Sequence, residues 1–266
     1  MKVLLMAFCL MAFACTAFAQ ELYVNTEPAS NMATRSLGIR LENQGFFKPQ
    51  FRNRTTLEAM YGAGPKLMLH GAAYSSNFYQ PGQRFEGGSF YAKYRFLSID
   101  TVKAHFRGAL FGKASLISNP YAMQEIALEG DNTGLQGGVV FTKLMYKLAL
   151  SASASYLRAY DNVGHRASPV TGSKEAVAYT LSAGYLVFPK RYTSYNQVNL
   201  NLYAELLGKS NPGYGQSYLD LAPAVQLIFA SVCRLDLSYR APLYNKMQRN
   251  SANMYLLRFE YNFYNL

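Results

Sequence analysis

Apolar and polar residues alternate along most of the chain, and the alternation is clearest in residues 254–263. Every second residue there is large and apolar, and the residues between are mostly polar or charged. The apolar positions are Tyr255, Leu257, Phe259, Tyr261 and Phe263. Because successive side chains of a strand point to opposite faces, this stretch predicts a β-strand with one apolar and one polar face.

The same two-residue period recurs from about residue 35 onwards, interrupted by turn and loop residues such as Gly62, Gly64 and Pro65. It predicts strands near 36–42, 54–61, 66–76, 89–97, 102–113, 134–145, 148–158, 175–188, 197–208, 218–229, 232–241 and 254–263. The last of these must pair with the first if the sheet closes into a barrel.

Residues 123–129 are ambiguous, and counting them as a strand would give an odd number. Outer-membrane barrels have an even number of strands, with short turns on one side and longer loops on the other. Treating 114–133 as one external loop places all the short turns, and both termini, on one side. The turns are 62–65, 98–101, 145–147, 189–196 and 230–231. We therefore predict an all-β fold, a single antiparallel up-and-down transmembrane β-barrel of 12 strands over residues 35–266, with 10 or 14 strands as alternatives.

A water-soluble barrel would show the same alternation with its apolar face inside. Two observations favour the membrane. The apolar faces of the later strands are long enough for the roughly 9–11 residues that a tilted strand needs to cross a bilayer. Aromatic residues also gather near strand ends, as in interfacial girdles. They include Tyr61, Tyr156, Tyr185, Phe188, Phe229, Tyr239, Tyr255 and Phe263.

The beginning of the chain predicts export. Lys2 precedes an apolar run, and Ala17-Phe18-Ala19 matches a signal-peptidase site, so residues 1–19 are interpreted as a cleaved signal peptide. Lipid attachment at Cys15 is an alternative. Residues 20–34 are predicted to form a periplasmic lead. Cys233 is then the one cysteine of the mature chain, which excludes an intramolecular disulfide.

The chain resembles bacterial outer-membrane β-barrel proteins of the small porin or transporter type. The resemblance covers the leader and residues 35–266. It rests on the predicted signal peptide, the two-residue alternation of apolar and polar positions, and the aromatic terminal strand. It implies the outer membrane of a Gram-negative bacterium, with outer-membrane lipid and the assembly machinery that binds strand 254–263 as partners. Proteins of this kind commonly end on an aromatic residue, which the assembly machinery reads as part of the last strand. Here Phe263 is followed by three further residues, so the aromatic residue is displaced from the chain end.

Charged residues on the inward faces are the candidate functional residues. The formal net charge is +11, but an exported barrel is not expected to bind nucleic acid. The predicted lumen-lining residues are Arg54, Glu58, Lys66, His70, Lys93, Arg95, Lys103, His105, Arg107, Lys113, Arg234, Asp236, Arg258 and Glu260. A basic lumen wall would favour anionic or zwitterionic small solutes. Alternatively, these charges pair across strands and plug the barrel, leaving a structural or surface-interaction role.

No pattern indicates catalysis, a metal site or a cofactor. The outer-membrane phospholipase family uses a histidine with a serine two positions later, and neither His70, His105 nor His165 is followed in this way. Asp161 and His165 share one loop. A nucleophilic site also needs a base fixed in position and a third group that orients it, and the sequence pattern shows neither. An outer-membrane hydrolase is therefore the least favoured function, and passage of small solutes the most favoured.

Overall fold

The computed structural model describes residues 23–161, 172–191, 196–264 and 266. The predicted signal peptide, residues 1–19, lies outside the described residues, as does His165. In the part of the chain that is described, no helix is both long and apolar enough to cross a membrane.

Twelve antiparallel strands form one closed barrel, as predicted. They are β1 Leu37–Phe46, β2 Arg52–Gly62, β3 Leu67–Ser76, β4 Arg84–Thr101, β5 Ala104–Ile117, β6 Gly134–Met145, β7 Leu148–Ala159, β8 Glu175–Phe188, β9 Asn199–Asn211, β10 Gln216–Phe229, β11 Cys233–Asn245 and β12 Met254–Phe263. Each strand pairs with its neighbours in sequence. The barrel closes where β12 pairs with β1, with Leu37 opposite Phe263 and Gly45 opposite Tyr255.

The two faces of the sheet point as the alternation predicts. Leu237 and Leu257 face outwards and are 53% and 43% exposed. Arg107 and Arg258 face inwards and are 8% and 7% exposed. The charged faces therefore enclose an interior, and the apolar faces form the outer surface that lipid tails would cover.

The connections differ between the two ends of the barrel. At the turn end lie 63–66, 102–103, 146–147, 189–198 and 230–232, and at the loop end lie 47–51, 77–83, 118–133, 160–174, 212–215 and 246–253. One predicted turn is corrected: residues 98–101 belong to β4, which continues to Thr101. Residues 162–171 and 192–195 of these connections are outside the described part.

Candidate functional site: the barrel interior

Residues 23–32, which we call the entry segment, lie inside the barrel. Tyr23 and Val24 pack among inward residues of β7, β9, β10 and β12. Ala29 packs against Ala109 of β5 and Val140 of β6. Met32 then packs against Met60 of β2 and Met68 of β3. The predicted periplasmic lead covers residues 20–34, and within its described part residues 23–32 cross the lumen.

The barrel holds the entry segment by its backbone. The carboxylate of Glu205, which is fully buried, accepts hydrogen bonds from the backbone nitrogens of Val24 at 3.1 Å and Asn25 at 2.8 Å. The buried ammonium of Lys93 donates to the carbonyl oxygens of Pro28 at 2.7 Å and Ser30 at 2.8 Å. These contacts supply hydrogen-bond partners for peptide groups that lie inside the barrel.

A glycine on the barrel wall makes room for this packing. Gly184 of β8 faces inwards, and a Cβ atom there would lie 2.3 Å from the ring of Tyr203 on β9. With no side chain at residue 184, the Tyr203 ring lies over the glycine. It also meets the Tyr23 ring edge-on, with a centroid distance of 5.5 Å. The glycine therefore positions the aromatic contact at which the entry segment begins its path across the lumen.

Residues 118–133, which we call the inner loop, also fold into the barrel. The sequence analysis treated 114–133 as an external loop. The structure instead ends β5 at Ile117 and buries Ile126 and Leu128 completely against Leu157 of β7 and Ala176 of β8. These two apolar side chains explain why the sequence of this stretch is ambiguous. They are buried by tertiary contacts and not by strand pairing, so they follow no two-residue period.

Three carboxylates of the inner loop pair with cations on three different strands. Glu125 lies 3.1 Å from the Lys209 ammonium of β9, and Glu129 lies 2.5 Å from that of Lys113 of β5. Asp131 pairs with Arg54 of β2. Gly130 has a φ of +110°, and a Cβ there would lie 2.8 Å from Arg54 Nε. A glycine at this position therefore lets the Arg54 side chain reach the loop.

The pKa values of the loop carboxyls follow from these contacts. Burial by itself would raise the pKa of Glu125, but Lys209 and Arg240 outweigh it and lower that pKa to about 2. Burial likewise opposes the effect of Lys113 and Lys209 on Glu129, whose pKa is also lowered to about 2. Both groups are therefore ionised at neutral pH and act as fixed negative charges.

Between the entry segment and the inner loop lies a chamber of about 380 Å³. All twelve strands contribute to its lining. The wall formed by β6 to β8 is uncharged and carries small inward side chains. They are Thr142, Ala149, Ser151, Ser153, Ser155, Ala176, Ala178, Thr180 and Ser182. Their small size leaves space for the two interior segments, which pack against this wall at either end of the chamber.

The remaining wall is charged, and its ions are paired. Arg40 lies within 2.8–3.1 Å of carboxylate oxygens of Glu27, Glu58 and Glu260. Arg258 pairs with Glu42 at 2.6 Å, and Arg234 with Asp236 at 3.0 Å. This arrangement meets the requirement that buried charges have partners.

Most of the predicted lumen-lining residues lie inside the barrel. Those with buried or mostly buried side chains are Arg54, Glu58, His70, Lys93, Arg107, Lys113, Arg234, Asp236, Arg258 and Glu260. Lys66 and Lys103 are exposed in turns, and Arg95 and His105 are half-buried near the turn end. The predicted strands begin one residue before β3, at Lys66, and two residues before β5, at 102, so Lys66 and Lys103 lie in turns and not on the inward face.

Sequence reasoning missed the carboxylates of the interior segments: Glu27, Glu125, Glu129 and Asp131. They lie outside any strand pattern, so no periodicity marks them. One signal was present, because the inward residues of β7 and β8 are too small to fill a barrel by themselves. That deficit of volume indicates that other parts of the chain enter the lumen.

The histidines do not assemble a reactive site among the described residues. His70 is buried, with Nδ1 2.9 Å from Glu58 Oε1 and its ring against Tyr91. Asp161 accepts a hydrogen bond from the backbone nitrogen of Thr133 at 2.6 Å, which gives it a structural role. In the described ranges, no group of three or more His, Cys, Asp or Glu side chains is placed to hold a metal ion.

Comparison with known proteins identifies the fold. No protein-family model matches the chain, and no curated protein matches it in sequence. An outer membrane channel from Pseudomonas putida F1 aligns with a TM-score of 0.57 at 12% identity, covering 91% of this chain and 100% of that one. The KdgM porin aligns with a TM-score of 0.50 at 11% identity, covering 86% and 99%. At these identities the likeness shows a shared fold, that of an outer-membrane β-barrel.

Proposed function

We propose that the protein is a channel for small solutes in the outer membrane of a Gram-negative bacterium, with no catalytic role. The observation that carries this proposal is the chamber of about 380 Å³ lined by side chains from every strand. Its volume is in the range of roughly 300–1,000 Å³ that small-molecule sites occupy. The printed names of the two structural neighbours, a porin and an outer membrane channel, support the same class of function.

The charges of the chamber favour zwitterionic or anionic solutes. Lysine and arginine side chains equal carboxylates in number around it. The cations are Arg40, Arg54, Lys113, Lys209, Arg240 and Arg258, and the carboxylates are Glu27, Glu42, Glu58, Glu125, Glu129 and Asp131. A zwitterion meets partners of both signs there. One neighbour is described as the KdgM porin in complex with disordered oligogalacturonate, which is a polyanion.

Planar-bilayer recording tests the channel function directly. The purified protein is expected to give discrete conductance steps in potassium chloride. Under a salt gradient, the reversal potential reports whether anions or cations cross more readily. A liposome-swelling assay with a neutral amino acid and a neutral sugar of similar size then tests whether zwitterions pass faster. Absence of any conductance in both assays would contradict the proposal.

A second candidate is a plugged barrel with a structural or surface-interaction role. The entry segment and the inner loop favour it, because both fill part of the lumen with buried side chains. The two candidates differ in one measurement: a plugged barrel gives no conductance in the wild-type protein and gains it when residues 23–32 are deleted. A channel conducts in both forms, with the larger conductance in the deletion variant.

The location and partners belong to the same proposal. Cleavage after Ala19 would deliver the chain to the periplasm, and strand 254–263 would engage the assembly machinery before insertion among outer-membrane lipids. Mass spectrometry of the protein from outer-membrane fractions is expected to give Gln20 as the first residue. Recovery of the uncleaved chain from the inner membrane would contradict this part of the proposal.

A further inference from the structure

The charges around the chamber are divided unequally between the barrel wall and the segments inside it. All the chamber-lining lysines and arginines are on strands, whereas only Glu42 and Glu58 among the carboxylates are. The other four carboxylates belong to the entry segment and the inner loop. The wall is therefore basic, and the interior segments neutralise it.

The inner loop supplies three of those carboxylates within seven residues. Glu125, Glu129 and Asp131 reach Lys209 of β9, Lys113 of β5 and Arg54 of β2. These cations line the chamber, so a solute that enters it can contact them. The loop occupies the cations in the manner of a bound tricarboxylate.

We propose that Arg54, Lys113 and Lys209 form a binding site for a small polycarboxylate, which the inner loop occupies with its own carboxylates when no solute is bound. The inference rests on the proposed channel function, since the solute reaches the site through the chamber. A ligand with two or three carboxylates restores the pairs that the loop gives up. A monocarboxylate replaces only one of them, so it competes poorly.

The contacts of the loop make this exchange feasible. The Glu129 side chain is 43% exposed and its Lys113 partner 15%, so solvent and solute reach this pair first. The side chains of the other two pairs are at most 13% exposed, so a solute exchanges with them only after the first pair has opened. The exchange leaves the number of charge pairs unchanged, which avoids the cost of a buried unpaired cation. Ile126 and Leu128 keep the middle of the loop anchored, so the change is a local shift of the acidic residues and not a release of the whole loop.

Calorimetric titration with citrate, a tricarboxylate, tests the site in detergent-solubilised protein at constant ionic strength. In the E125Q/E129Q variant two of the three competing carboxylates are removed, and the apparent citrate affinity is expected to rise by about tenfold or more. Acetate is expected to bind no variant measurably. E175Q is the matched control, because Glu175 is a carboxylate on the outer face of β8, and its citrate affinity is expected to equal that of the wild type.

Removal of the cations gives the opposite result. The K113Q/K209Q variant is expected to lose citrate binding. Because this change can also disturb folding, K113R/K209R provides a second variant that keeps both charges and is expected to retain binding. Equal citrate affinity in the wild type and E125Q/E129Q, or no citrate binding by either, overturns the proposed site.

Conductance measured on the same proteins separates the two proposals. Citrate binding by proteins that never conduct would overturn the channel function and leave the polycarboxylate site standing. Steady conductance together with citrate affinities that ignore the loop charges would overturn the site and leave the channel function standing. The expected result is conductance in the wild type that citrate reduces at lower concentration in E125Q/E129Q.

Discussion

The entry segment and the inner loop occupy the same lumen but are held there differently. Glu205 and Lys93, both fully buried in the barrel wall, bind the entry segment through its backbone nitrogens and carbonyl oxygens. The inner loop is held mainly by its own side chains, through ion pairs to Lys113 and Lys209 and through buried Ile126. Each segment also has contacts of the other kind: Glu27 of the entry segment pairs with Arg40, and Lys209 donates to the carbonyl oxygen of Ile126. Backbone contacts therefore predominate for the entry segment, and side-chain contacts for the inner loop.

This difference separates a fixed part of the lumen from an adjustable part. Backbone hydrogen bonds to fully buried groups cannot be replaced by solvent or a solute without leaving desolvated groups unpaired. Ion pairs that border the chamber can be exchanged for ions or for a charged solute, and salt screens them. Substitutions in the barrel should therefore affect the entry segment most, and substitutions in the loop should affect the inner loop most.

The largest effect is expected for Glu205→Leu. The change leaves the backbone nitrogens of Val24 and Asn25 without their acceptor, and we expect a loss of about 3 kcal/mol in the free energy of unfolding. Urea unfolding in lipid vesicles, followed by tyrosine fluorescence, measures it. In a Cys233→Ser background, a cysteine at Ser30 should also become reactive to maleimide. Unchanged stability together with an unreactive cysteine would contradict the backbone attachment.

Two lysine substitutions sharpen the comparison. Lys93→Met removes the buried ammonium that donates to the carbonyl oxygens of Pro28 and Ser30, and we expect a loss of about 2 kcal/mol. Lys113→Met removes a pair whose Glu129 side chain is 43% exposed, so we expect less than about 1 kcal/mol. The same urea unfolding measurement compares the two. Equal losses would show that the two segments are held alike.

The sequence predicted the barrel but not its contents, for a physical reason. Residues 254–263 pair with neighbouring strands, and their two-residue alternation determines which face of the sheet each side chain occupies. Glu125 and Glu27 have no ladder, and their positions depend on cations that lie far away in the sequence. One feature of the sequence did indicate that something fills the lumen. The inward residues Ser151 and Ser153 are small, so they leave space inside the barrel that other parts of the chain have to fill.

A glycine in the inner loop offers a smaller and more local test. Gly130→Ala places a Cβ near Arg54 Nε in a backbone conformation that alanine rarely adopts, and we expect a cost of about 1–2 kcal/mol. The loop should then loosen and single-channel conductance should rise. Gly137→Ala is the matched control, because a Cβ there meets nothing within 4 Å and its properties should not change. Equal stability and equal conductance of the two variants would show that the backbone conformation of Gly130 does not hold the inner loop in place.

The most reversible effect is expected from acid. The pKa of Glu125 and of Glu129 is lowered from an ordinary 4.5 to about 2 in the folded protein. A lowered pKa contributes stability that is complete above the unfolded value and is lost as pH falls through the folded one. The loop contacts should therefore hold at pH 5 and weaken progressively between pH 4.5 and 2.

Chloride conductance recorded across that pH range measures the loss. Protonation removes the loop charges while the cations Lys113 and Lys209 stay charged, so conductance and anion selectivity should both rise as the pH falls. In E125Q/E129Q the same rise should already be present at neutral pH, and acid should add little. An equal response to acid in the wild type and in E125Q/E129Q would show that carboxyls outside the inner loop cause the change, and would contradict the proposed role of Glu125 and Glu129.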